Sequence, residues 1–391
     1  MLFVSALYDT SLYDSIMKSK NLIKVSGSDV GEGELNAIRE VFDRGYLGMG
    51  SDVKEFEEIL ENYLGNNVAC VATGTAALHL GVQCCGIGSG DEVLVPSLTY
   101  LAAFQAISAT GATPIPVDVV EESLTIDPES VRKKITKRTK AIMPVHYGGG
   151  IKRLEEIYSI GKENGLRIIE DAAHAFGSKI GGNLVGSGGD VTCFSFDPIK
   201  NLTSGEGGCV VSSDKDFINY VKDARLLGVK GDSIARNSEQ RLYEFQVDFQ
   251  GWRYHMSNIN AAIGKAQFET FEYKINLRKH FAKLYNEIFR DSKKIKILPY
   301  IYEQEVPHIY VIRFKNKQTR DFVKKELLEV LNVQTALHWF PNHFLTRFSN
   351  NNESLPITEH AFNTMLTIPL HTKLTDEDVI RIAEFILSKS E

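Results

Sequence analysis

The sequence lacks the features of several large protein classes. It holds only five cysteines, Cys70, Cys84, Cys85, Cys193 and Cys209, and no C-x-x-C pair. This argues against a zinc site or a disulfide framework and fits reduced thiols, three on expected strands and two adjacent on an expected helix. Apolar runs never approach the ~18 residues of a membrane-spanning helix. There is no long basic block, and the formal net charge is −6, so neither nucleic acid nor an anionic membrane is an expected partner. The N-terminus has no positive region, and Asp9 and Asp14 interrupt its apolar character, which argues against a signal peptide and for a cytoplasmic protein. Two nucleotide signatures are also missing. No G-x-G-x-x-G follows the first expected strand. Gly205-Glu-Gly-Gly208 follows its lysine, whereas a P-loop lysine follows its glycines.

What is present is an alternation of short apolar runs with amphipathic segments. Strands are expected at 68–71, 92–95, 113–117, 140–145, 166–169, 191–196 and 209–211. Helices are expected at about 31–43 and 53–64, from Gly74 through Leu80, after Tyr100, and at 154–161 and 216–226. This order predicts an α/β fold: a large, mostly parallel sheet of seven strands with helices on both faces. A long polar connection, 228–244, has the character of a lid or a partner-reaching arm. One long helix is expected over 259–289, with Ser257 as its N-cap, followed by a smaller α/β domain. That domain is expected to carry strands at 295–298 and 308–314 and helices at 319–331 and 376–388. The domain reading is an extension over 1–24, a large domain over 25–255, and a linking helix with a small domain over 256–391. The extension, with apolar Leu12, Ile16 and Leu22, reads either as an amphipathic arm or as a disordered leader.

The chemistry centres on the stretch from Cys193 to Gly208. A buried strand is followed by Lys200, a glycine-rich turn and a second buried strand. An ordinary lysine titrates near ~10.4 and is a poor nucleophile. Partial burial favours its neutral amine, which can attack a carbonyl. A lone lysine here could instead snorkel to water. Asp171 weighs against that, since it closes the strand at 166–169, on the edge where open α/β sheets bind ligands. Alone it could cap a helix. Together the two match the needs of pyridoxal 5'-phosphate, with Asp171 keeping the ring nitrogen protonated and Lys200 holding the aldehyde carbon. The turn Ala72-Thr73-Gly74-Thr75 opens a helix whose free N–H groups can bind a phosphate, with Gly74 allowing close approach and Thr75 adding a hydroxyl.

Seven stretches carry a resemblance to a known family. They are Glu170-Asp-Ala-Ala-His-Ala175, Phe194-Ser-Phe to Lys200, Thr203-Ser-Gly-Glu-Gly-Gly208, Thr73-Gly-Thr-Ala-Ala-Leu-His-Leu80, Val95-Pro-Ser-Leu-Thr-Tyr100, Met256-Ser-Asn-Ile-Asn-Ala-Ala262 and Pro369-Leu-His-Thr-Lys-Leu-Thr-Asp-Glu-Asp378. In their order from about Val25 to the C-terminus the chain resembles the DegT/DnrJ/EryC1/StrS sugar aminotransferases, which have the aspartate-aminotransferase-like fold, fold type I. The resemblance implies transfer of an amino group from L-glutamate to a nucleotide-linked keto sugar, through pyridoxal phosphate and its pyridoxamine form. It implies Lys200, Asp171 and His174 as catalytic residues, with His174 near the ring oxygen. It also implies Tyr100 stacked on the ring, and Ser195 with Gly74 and Thr75 at the phosphate. Tyr46 and Leu47 in the loop 44–50 become substrate-side candidates, as do His343 and, second to it, His338; either histidine could simply be packed or on the surface. The family's usual Asn, two residues after Gly251, reaches a neighbouring subunit's phosphate; here that position is Arg253, which could bind the phosphate or a donor carboxylate. A homodimer with shared active sites follows from the resemblance. The Thr-x-Gly-Glu-Gly-Gly segment resembles members acting at C4 of a 4-keto-6-deoxyhexose, as in polysaccharide, lipopolysaccharide O-antigen or other glycoconjugate synthesis. A 3-keto sugar or an un-nucleotided keto sugar acid is the alternative substrate. A sugar dehydratase of the same fold would replace Lys200 with histidine, and a non-catalytic homologue would have lost Asp171, Lys200 or the phosphate turn. Neither change is present.

Overall fold

The computed structural model describes residues 22–240, 242–349 and 354–390. Two helices come first, α1 (Glu32–Arg44) and α2 (Ser51–Leu64), each stopped by a glycine in the left-handed region, Gly45 and Gly65. Strand and helix then alternate: β1 (Asn67–Val71), α3 (Gly74–Cys84), β2 (Glu92–Pro96), α4 (Leu101–Ala109), β3 (Thr113–Val117), α5 (Pro128–Lys134), β4 (Thr139–Ile142), α6 (Leu154–Asn164) and β5 (Arg167–Asp171). A small hairpin, β6 (Lys179–Ile180) and β7 (Asn183–Leu184), leads to β8 (Val191–Ser195) and β9 (Gly208–Ser212).

Seven of these strands form one sheet in the order β1-β9-β8-β5-β4-β2-β3. Only β9 runs antiparallel to its neighbours; the other pairings are parallel. A parallel sheet buried on both faces needs strands apolar throughout, and β1, β2, β8 and β9 are buried nearly end to end. Separate apolar clusters cover the sheet. One contains Leu78, Phe104 and Ile169, another Phe56, Phe176 and Phe194, and a third Ile142, Ile157 and Ile168.

After α7 (Lys215–Ala224) the connection expected to be polar and irregular contains a short helix, α8 (Asp232–Asn237). Its base is fixed by Arg225, which is fully buried and bonds the carboxylate of Glu57, the Cys70 carbonyl and Ser233 Oγ. The long helix expected over 259–289 is two helices, α9 (Asn258–Glu269) and α10 (Phe271–Phe289), broken at Thr270, whose φ of −105° and ψ of 5° leave the helical region. Its side of the break is held by stacked Phe268 and Phe271, 6.1 Å apart. The remainder comprises β10 (Lys296–Ile297), β11 (Tyr310–Arg313), α11 (Lys317–Leu331), α12 (Pro356–Thr364), β12 (Met365–Ile368) and α13 (Asp376–Lys389). The three strands form an antiparallel sheet packed by α10, α11 and α13 through Tyr285, Phe289, Val323 and Ile382. The strand expected over 140–145 ends at Ile142, and α5, α12 and β12 were not anticipated.

Leu12 and Ile16 of the expected extension lie outside the described residues. Ile23 pairs with Val333, and Ser28 Oγ donates to the Pro198 carbonyl at 2.7 Å, so residues 23–28 run from the small sheet's surroundings to the Lys200 turn. Among the described residues, no helix is long and apolar enough to cross a membrane.

Candidate active site

Every strand of the large sheet except β9 points its C-terminal end to the same edge. That edge carries the turn after β1, the Tyr100 segment after β2, Asp171 closing β5 and Ser195 closing β8. These surround a cavity of about 390 Å³, within the range of small-molecule sites. Its walls include Gly74, Thr75, Tyr100, Asp171, His174, Ser195, Lys200 and His338, so eight of the twelve residues singled out in the sequence meet in one place.

One end is built for an anion. Thr73 caps α3 by accepting from the Ala76 N–H at 3.0 Å, which leaves the first helical N–H groups, at Gly74 and Thr75, facing the cavity end. Gly74 is required there by contact. A Cβ on it would lie 2.6 Å from Ser195 Cβ and 2.9 Å from its Oγ. Gly208 is equally constrained, since its Cβ would meet the Gly74 nitrogen at 2.8 Å. Backbone N–H groups, the Thr75 side chain and the Ser195 hydroxyl thus converge, and they fit a phosphate.

The other end holds the ionisable groups. Asp171 is 6 % exposed. Burial raises its carboxyl, opposed by the Ala173 N–H, which donates to Oδ1 at 3.2 Å, and by the charges of Lys200 and His146. On the neighbouring position of the strand, fully buried Glu170 accepts from His146 Nε2 at 2.8 Å and Tyr158 at 2.9 Å, and the His146 N–H donates to the Asp171 carbonyl at 3.0 Å. Lys200 is half-buried, and desolvation pulls it down to about 8 against the opposing pull of Asp197 and Asp171. Among the described residues it is the only lysine or arginine in the cavity wall. A lysine near 8 supplies a useful fraction of neutral amine at neutral pH.

His174 is buried, and burial followed by the charge of Lys200 holds it well below the usual histidine range. Its Nδ1 accepts from the Gly148 N–H at 3.3 Å, so the neutral ring carries its proton on Nε2. His338 is pulled down to about 4, mainly by burial and then by Lys200, and its Nδ1 meets Thr367 Oγ1 at 2.8 Å. Tyr100 is 58 % exposed and stands at the mouth, 5.9 Å from the ring of Trp339.

Four expectations do not meet at this cavity. His343, ranked above His338, is buried behind the wall: the turn 342–344 docks on the 97–99 segment, with Nδ1 on Ser97 Oγ at 2.7 Å and Nε2 3.4 Å from Glu359. The ranking is therefore reversed. Tyr46 and Leu47 lie in a loop held by Asn258, whose amide donates to the Tyr46 carbonyl at 2.9 Å, and neither lines the cavity. Arg253 is exposed, pairs its backbone with Leu226, and borders a separate hollow of about 120 Å³ with Asp232, Arg236 and His255. Sequence reasoning missed Asp197, Glu206, Thr99 and Trp339, all in the wall. Asp197, Glu206 and Thr99 stood inside stretches that carry the resemblance, and Trp339 directly follows His338, where a search for every polar or aromatic side chain would have found them.

Comparison with known proteins agrees with this geometry. The chain is 29 % identical over 381 residues to the spore coat polysaccharide biosynthesis protein SpsC of Bacillus subtilis, covering 95 % of this chain and 98 % of that one. Its fold matches the aminotransferase TlmJ from Streptoalloteichus hindustanus with a TM-score of 0.87 at 31 % identity, covering 94 % and 98 % of the two chains. It matches equally the sugar aminotransferase Spr1654 described for Streptococcus pneumoniae, in its PLP form, with a TM-score of 0.87 at 28 % identity, covering 94 % and 98 %. Solved forms of the latter hold either the aldehyde or the amine form of the cofactor. The family profile matches residues 28–387. Fold, cavity and profile agree: the chain belongs to the DegT/DnrJ/EryC1/StrS aminotransferase family and is a pyridoxal-phosphate-dependent sugar aminotransferase.

Proposed function

We propose that this chain transfers an amino group from L-glutamate to C4 of a nucleotide-linked 4-keto-6-deoxyhexose, for a surface polysaccharide or another glycoconjugate. The observation that carries the site assignment is the cavity that joins the anion-binding end of α3 to Lys200 and Asp171. Gly74, Thr75 and Ser195 hold the cofactor phosphate; the contact between Gly74 and Ser195 supports this. Asp171 would pair with the cofactor's protonated ring nitrogen, His174 would donate from Nε2 toward its ring oxygen, and Tyr100 would cover its ring from the mouth. When bound, the cofactor supplies an electron sink that lets a proton leave the carbon bearing the amino group. Lys200 would accept that proton at Nζ and redeliver it as the general acid and base, a role favoured by its lowered pKa.

The donor's carboxylates and a nucleotide diphosphate need cations, and Lys200 is the only lysine or arginine among the described residues of the wall. A second copy of the chain supplies Arg253 to this site. The exposed apolar side chains in and next to the arm, Leu227, Tyr243, Phe245 and Val247, support such an association. The polysaccharide role draws on the likeness to the Bacillus subtilis spore coat protein. The choice of C4 draws on the turn after Lys200, which sets how the amine leaves the strand and so which ring carbon reaches reacting geometry.

The test is incubation of the enzyme and L-glutamate with matched 3-keto and 4-keto nucleotide sugars and keto sugar acids. Products are weighed by mass spectrometry and the new C–N bond is located by NMR. Amination at C4 of the 4-keto sugar is expected. Amination of only the 3-keto sugar or only the acid would overturn the substrate assignment.

A further inference from the structure

His308 lies outside the cavity wall, yet it touches His174 in that wall and Asn201, the neighbour of Lys200. It is 3 % exposed, at the approach to β11. Its ring packs on that of His174 with centroids 4.2 Å apart and planes tilted by 43°. Its Nδ1 lies 3.2 Å from Oδ1 of Asn201, the residue that follows Lys200. An amide oxygen only accepts, so this bond fixes a neutral His308 with its proton on Nδ1. The backbone closes the same circuit. The His308 N–H donates to the Gly148 carbonyl at 2.9 Å, and the Gly148 N–H is the donor that sets the His174 tautomer at 3.3 Å.

The support behind His308 is rigid. Arg278, buried in α10, donates to the His308 carbonyl at 3.1 Å and to the Leu370 carbonyl at 3.0 Å. Asn201 is 6 % exposed, and its Nδ2 has no partner among the described residues. A buried amide with half of its bonding capacity unmet has little to hold it in place except His308. Losing that bond removes one of the ties on the turn that carries Lys200, which Ser28 also holds through the Pro198 carbonyl, and losing the ring removes one face of the packing around His174.

We infer that His308 and Asn201 form a positioning pair, through which the C-terminal part of the chain sets the aim of the Lys200 amine and the orientation of the His174 ring. Neither residue touches the reacting atoms. Their effect is on placement, and a displacement of about 1 Å can cost about a hundredfold in rate.

The test uses the holoenzyme, three single variants and one double variant. His308→Phe keeps a ring against His174 but cannot donate to Asn201. His308→Gln keeps a donor. Asn201→Ala removes the acceptor alone and stands in for His308→Phe should that variant not fold. The readouts are kcat and KM for L-glutamate, the visible circular-dichroism band of the bound cofactor, which needs no amino donor, and the thermal midpoint. His308→Phe and Asn201→Ala are expected to lower kcat by about tenfold or more with KM within about threefold, and to weaken the band. His308→Gln is expected to recover most of both. The double variant His308→Phe/Asn201→Ala is expected to be no worse than either single one, as for two residues acting as a unit. A wild-type band and kcat in Asn201→Ala, or a His308→Gln protein as impaired as His308→Phe, would overturn the pairing.

Discussion

At the scale of residues, function rests on a few contacts that admit no substitute. Gly74 is the clearest. Its neighbour Ser195 comes so near that a methyl group cannot be added without moving one of two strand ends. Gly74→Ala is expected to destabilise the cofactor-free protein by about 1–3 kcal/mol, the usual cost of overpacking, and to weaken cofactor binding. Adding Ser195→Gly should return the thermal midpoint toward wild type without returning affinity, because the hydroxyl has gone with the clash. An unchanged midpoint and unchanged affinity in Gly74→Ala would show that the cradle is looser than the contacts imply. The positions of Lys200, Asp171 and Gly74 were legible in the sequence because each closes or follows a strand, whereas Ser195 came only with the family resemblance. Glycine and apolar runs mark strand ends locally. His308 and Trp339 were not legible, because their importance comes from chain segments distant in sequence: His308 meets His174 and Asn201, and Trp339 meets His174. The two C-terminal histidines were ranked wrongly for the same reason, since only the docking of the turn 342–344 on Ser97 decides which one faces the cavity.

At the scale of elements, periodicity located the large sheet well and the C-terminal part less well. The strands of the parallel sheet are short, apolar throughout and punctuated by turns, so their composition identifies them. The break at Thr270 could not be read, because the apolar stripe runs on through Phe268, Phe271 and Ile275. A single residue leaving the helical region does not interrupt a pattern of side chains. Helix α5 escaped notice although Asp127 caps it by accepting from the Glu129 and Ser130 N–H groups, because it spans only seven residues, about two turns. In β12 the strand is fully buried but has only four residues, Met365–Ile368, too short for a periodic signal. The capping box of α13, Thr375 with Asp378, lay within a quoted stretch and marks the helix start seen in the structure.

At the scale of the whole molecule, the single chain presents one deep cavity edge, a charge arrangement short of cations, and an arm with exposed apolar side chains. The proposed dimer joins these facts. Mixing a Lys200→Ala protein with an Arg253→Ala protein is expected to restore part of the activity that each lacks alone, since one mixed site in each heterodimer would hold an intact Lys200 and an intact Arg253. No restoration, with subunit exchange verified by mass, would mean that Arg253 does not serve a neighbour's site. The central claim concerns Lys200 itself. Its amine loses its proton at about 8 in the folded protein, against ~10.4 in an unfolded chain. Between these values the unfolded state binds the extra proton, so this group's contribution to stability rises with pH across that window, and the neutral, reactive amine gains with it. The most direct measurement is borohydride reduction of the cofactor-loaded protein followed by a peptide map of the entire chain, with the rate of cofactor capture by the apo-protein recorded against pH. The account predicts a phosphopyridoxyl group on Lys200 alone and a capture rate that rises with a midpoint at about 8; a label on any other lysine would contradict it.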